Sequence, residues 1–138
     1  MKRMKLFLLI LMTVAAMQLA ACGAKPATTE KINPSTLEEI DGSDLKRVIL
    51  TQKAAERINL QTVPVSGLVV PYSAVIYDTE GNTWIYTNPA PLTFVRASIV
   101  IDHIEGDQAF LSQGLESAAP IVTVGVAEIY GAETGVSK

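Results

Sequence analysis

Hydrophobic residues are distributed in three regimes along the 138-residue chain. The first is a near-continuous apolar run, Leu6 to Met17, broken only by Thr13. The second, residues 23–45, is polar and rich in Pro, Thr, Ser and Glu, with only Ile32, Leu37, Ile40 and Leu45 as sizeable apolar side chains. The third, from Lys46 onward, is a series of short apolar segments separated by turn residues at hairpin spacing. Arg47-Val48-Ile49-Leu50 predicts a strand, and Thr51 caps a short helix, Gln52 to Ile58, ended by Asn59. Strands are predicted at Leu60–Val65, Leu68–Tyr77, Thr83–Thr87, Leu92–Asp102, Gln108–Ser112 and Ile121–Val126. Asp78–Asn82 and Glu105-Gly106-Asp107 form turns between them, and Asn88-Pro89-Ala90-Pro91 breaks the chain. One short helix among many strands defines a mainly β fold, a small antiparallel roll or barrel.

The apolar run belongs to an export signal. Lys2, Arg3 and Lys5 precede it, and Leu19-Ala20-Ala21-Cys22 follows with the small residues of a bacterial lipobox. Twelve residues rising 1.5 Å each are too short to span a bilayer, which takes about 20. Residues 1–21 are therefore expected to be removed and Cys22 to be acylated, placing the protein in a bacterial cell envelope, lipid-anchored and facing the periplasm. Cys22 is the only cysteine, so acylation excludes disulfides, thiolate catalysis and thiolate metal ligation from the mature chain. All four methionines lie in the removed segment as well. The cut leaves 8 basic against 14 acidic residues, a net charge of −6 against −3 for the whole chain. Such a balance argues against nucleic-acid binding, which uses clustered Lys and Arg to displace counterions. Residues 22–45 then read as a lipid-anchored flexible tether, with one helical turn allowed by the capping-box spacing of Ser35 and Glu38, and residues 46–138 as one domain.

Within that domain, Val48-Ile49-Leu50-Thr51 with Ala54, Ala55, Glu56 and Arg57, followed by Leu60-Gln61-Thr62-Val63-Pro64-Val65, resembles the N-terminal entry segment of the periplasmic adaptor subunits of RND-type efflux pumps, the membrane fusion proteins. Val70-Pro71-Tyr72-Ser73-Ala74-Val75, the Asp78–Gly81 turn, Trp84-Ile85-Tyr86, Phe94-Val95-Arg96, Gly114-Leu115, Val122, Gly125 and Glu128 are similar, in order and spacing, to the adaptor's C-terminal membrane-proximal domain. Where the family inserts its lipoyl-like, helical-hairpin and β-barrel domains, this chain has only Ser66-Gly67-Leu68. A second departure is Glu116-Ser117-Ala118-Ala119-Pro120, in place of the family's Gly-Asp turn. The resemblance implies a stand-alone membrane-proximal domain assembled from both segments, with an efflux transporter or adaptor as partner and no bridging of a tripartite pump. Gly23, after the anchor, favours the outer membrane in a Gram-negative cell, whereas a partner pump resides in the inner one.

No catalytic, metal or cofactor constellation is evident in the mature sequence. His103 is the only histidine, and its neighbours Asp102, Glu105 and Asp107 lack the spacing of a dedicated cation loop. Trp84 and Tyr86 share a strand face and are expected in the core. On the Leu92–Asp102 strand, Phe94, Arg96 and Ser98 alternate with Val95, Ala97 and Ile99. If the second set packs inward, Phe94 and Arg96 are displayed together as partner-contact candidates; otherwise Phe94 is a core residue. The expected function is a membrane-anchored, non-enzymatic interaction module, with a lipoprotein that binds a small molecule or cation at the membrane surface as the alternative.

Overall fold

In a computed structural model of the chain, residues 33–65, 67–115 and 118–135 are described. Cys22, the signal and residues 23–32 of the expected tether lie outside them. Among the described residues no helix is long and apolar enough to cross a membrane.

The structure is mainly β. The strands are β1 (Ser35–Glu39), β2 (Lys46–Leu50), β3 (Gln61–Val63), β4 (Val69–Pro71), β5 (Ile76–Tyr77), β6 (Thr83–Ala90), β7 (Thr93–Ile99), β8 (Ile101–Glu105), β9 (Gln108–Leu111) and β10 (Ile121–Val124). Two helices, α1 (Gln52–Arg57) and α2 (Val126–Thr134), and a 3₁₀ turn at Tyr72–Ala74 complete the fold. Two antiparallel sheets result. The larger runs β1-β2-β7-β6-β10-β3, with β5 paired to the start of β6, and the smaller runs β4-β9-β8.

Side-chain alternation gives the larger sheet two buried faces. On one, Val48, Leu50, Tyr86, Phe94 and Val122 pack with Ala55 of α1 and Ile129 of α2. On the other, Ile85, Ile99 and Ile121 pack with Val70, Ala109 and Leu111 of the smaller sheet. Helices therefore cover one side and a second sheet the other, which is why Ile85 and Tyr86, adjacent in sequence, are both fully buried.

The segment expected to be a tether as far as residue 45 departs from that reading. Ser35–Glu39 forms a full antiparallel pair with β2, from Ser35 opposite Leu50 to Glu39 opposite Lys46. Its polarity is that of an edge strand, mostly exposed, and its acidic residues face basic ones, with Glu38 3.1 Å from Arg47. The capping-box turn is displaced because five backbone pairs on β2 satisfy more donors and acceptors than one helical turn.

Two further departures set the geometry of the core. The expected Leu92–Asp102 strand breaks at Val100, whose carbonyl accepts from Ser112 N at 2.9 Å, so that β7 and β8 enter different sheets. Strand β6 continues through Asn88-Pro89-Ala90, with an irregular register between Thr87 and Ala90. Asn88 Nδ2 donates to the carbonyls of Ala90 (2.7 Å) and Thr93 (2.9 Å), holding this bulge.

Helix α2 is an addition to the single helix expected. Gly125 precedes it at φ 90° and Gly135 follows it at φ 74°. A Cβ at Gly125 would also lie 2.9 Å from Ile58 Cδ1. Backbone freedom and the close approach of Ile58 both require glycine here.

Candidate functional site

Helix α1 is local in origin: Thr51 Oγ1 accepts from Ala54 N at 3.2 Å, as the sequence predicts, and Asn59 ends it at φ 50°. Helix α2 is set by tertiary contact. Val126, Ile129 and Tyr130 follow helical spacing against the sheet, and the next position of that stripe is Glu133. This carboxylate, only 6% exposed, is the centre of the most organised polar cluster among the described residues.

Glu133 reaches two strands. From β6, the Tyr86 hydroxyl donates to Oε2 in a short hydrogen bond. From β7, Arg96 Nε lies 3.0 Å from Oε1 and 2.9 Å from Oε2. The Arg96 guanidinium is held over the Trp84 ring at 4.8 Å from its centroid and over the Tyr130 ring at 5.6 Å. Trp84 is itself fixed at its far edge, where Nε1 donates to Asp78 Oδ2 at 2.9 Å. Asp78 accepts three more bonds within the β5–β6 loop: from Glu80 N and Asn82 N at Oδ1, and from Asn82 Nδ2 at Oδ2. A continuous network thus runs from the loop through Trp84 and Arg96 to Glu133 and Tyr86.

The electrostatics follow from these contacts. Burial, then the hydrogen bond and charge of Glu133, push the Tyr86 phenol well above its ordinary value, with Arg96 opposing. Hydrogen bonds from Asn82 and then Trp84 hold the Asp78 carboxyl down at about 2. Glu133 is met in the core by both a cation and a neutral donor, which offsets part of the cost of removing it from water.

The partner-contact expectation divides at β7. Phe94 is fully buried, packed with Val48 and Ile129, and is not displayed. Ala97 and Ile99 do face a core, that of the smaller sheet, and half-buried Val95 shares their side of the strand. Unforeseen was the cover on the opposite face: α2 closes over Phe94 and Arg96, while Ser98, next on that face, stays exposed. Arg96 stays at the rim, with its side chain 14% exposed. Tyr86 is in the core as expected, and Trp84 packs against it. His103 lies on the exposed side of β8, bonded through Nδ1 to Asp102 at 2.8 Å and stacked on Phe110 at 4.4 Å.

Sequence reasoning paired Arg96 with Phe94 and missed Glu133, Tyr130 and Asp78 as its context. A glycine-bracketed stretch, Gly125 to Gly135, with apolar residues at i, i+3 and i+4 was the available signal for α2 and hence for Glu133. Compared with known proteins, the chain matches no family model, no curated protein and no solved structure.

Proposed function

We propose that this chain is a membrane-anchored, non-enzymatic interaction module of the bacterial envelope, tethered through acylated Cys22 and associated with an RND-type efflux transporter or its adaptor. The supporting observation is the two-segment assembly. Strand β2 and helix α1, from the first adaptor-like segment, are built into one core with β6, β7 and β10 from the second. That is the arrangement the resemblance to the adaptor membrane-proximal domain implies. The polar network has a structural place in this reading: the Glu133 carboxylate and the Tyr86 phenol lie inside the core and hold α2 on the sheet.

The test is chemical cross-linking in intact cells followed by capture of the lipidated chain, with Cys22→Ser as the control. Recovery of a transporter or adaptor subunit with the original chain, and its loss with Cys22→Ser, is the expected result. Capture free of both classes of subunit, or membrane attachment unchanged by Cys22→Ser, overturns the reading.

A further inference from the structure

We infer that Arg96 forms the floor of a carboxylate-binding site. The inference stands on the geometry of β6, β7 and α2 and is independent of membrane anchoring or any transporter. Arg96 makes its ion pair through Nε. Among the described residues neither Nη atom has a hydrogen-bond partner, and no buried side-chain nitrogen or oxygen is left unpaired. Both Nη atoms therefore reach solvent. Glu133 fixes the guanidinium at Nε, while the rings of Trp84 and Tyr130 lie against it. The result is a planar fork whose outer donors are unspent and whose orientation is set before any ligand arrives.

A cleft of about 430 Å³ touches this residue; its lining includes Trp84, Arg96 and Ser98 from one face of β6 and β7, and Val95, Ala97 and Leu115 from the side of the smaller sheet. Its mixture of apolar walls and a few polar groups suits a small organic acid or an acidic side chain. A carboxylate fits the guanidinium plane with two parallel N–H···O bonds. A tetrahedral dianion fits less well, because Glu133 already neutralises one unit of the local charge and a second negative charge meets its repulsion. Glu133, Trp84 and Tyr130 are positioning residues; Arg96 is the binding residue.

Trp84 is the only tryptophan, so fluorescence of the full chain in detergent reports directly on the stacked guanidinium. Titration at constant ionic strength uses three probes: free glutarate, an end-capped peptide containing one Glu, and inorganic phosphate. A saturable change with glutarate or the peptide, weakened at least about tenfold in Arg96→Lys, is the expected result. Response to both carboxylates indicates a small acid as a sufficient ligand, and response to the peptide alone indicates a protein side chain. Nitrogen-detected NMR of Arg96 in the original chain provides the same decision if Arg96→Lys fails to fold, since its side-chain resonances must shift along the titration. Saturation by neither carboxylate, unmoved Arg96 resonances, or phosphate binding as tight as carboxylate overturns the inference.

Discussion

Asp78 and Tyr86 give single residues opposite control over the pH dependence of folding. The folded-state carboxyl of Asp78 lies near 2, below its ordinary 3.8. Its stabilising contribution is present above pH 3.8 and is lost as pH falls through about 2. Asp78→Asn turns an amide toward the Trp84 and Asn82 donors, so acid titrations followed by circular dichroism should show a flatter loss of stability between these values. Tyr86 behaves in the other sense. Its folded-state pKa is raised above 10.0, so the stability it supplies is complete below that pH and declines as pH rises beyond it. Tyr86→Phe removes one of the two donors to buried Glu133 and leaves only Arg96, at a cost of about 1–3 kcal/mol in urea denaturation at neutral pH. Its stability should also fall less steeply above pH 10.0 than that of the original chain. Phe94→Ala distinguishes core from surface more bluntly: a fully buried ring lost to a cavity costs about 3–5 kcal/mol. An unchanged melting temperature would contradict the packing described.

The two helices differ in how they are held. Helix α1 depends on its own first turn, so Thr51→Ala should destabilise the chain by about 1 kcal/mol, as measured by chemical denaturation. Helix α2 has Gly125 at its start with no side-chain cap and depends on the sheet. The contrast explains which elements could be read in advance. Strands β2, β6, β7, β9 and β10 were legible because alternation and turn residues mark them locally, and α1 because Thr51 and Asn59 bracket it. Helix α2 was hidden because its buried stripe ends in Glu133, a residue that looks like a solvent-facing position until Tyr86 and Arg96 are known to lie beneath it. Strand β1 was hidden because an exposed edge strand needs few apolar residues and takes its structure from β2. For the candidate site, Arg96 was legible as a chemical group; its stacking and its ion pair depend on Glu133 and Tyr130, distant in sequence.

At the scale of the whole molecule, the order of strands predicts where the chain tolerates loss. Strand β1 is the terminal strand of the larger sheet, and four of its five residues are exposed. Its removal strips hydrogen bonds and the Glu38–Arg47 ion pair from one edge but opens little of the core, and such an exposed pair contributes at most about 1 kcal/mol. Strand β2 is different: Val48 is fully buried, Leu50 is 7% exposed, and both pack against α2 and Phe94. It also separates β7 from solvent on that edge. A chain beginning at Leu45 should therefore unfold in urea as one cooperative transition with modestly reduced stability. A chain beginning at Thr51 loses two core side chains and bares the edge of β7, and should show no cooperative transition at all. Equal stability of the two truncated chains would mean that β2 is peripheral, and the assembly of one core from both segments would have to be abandoned.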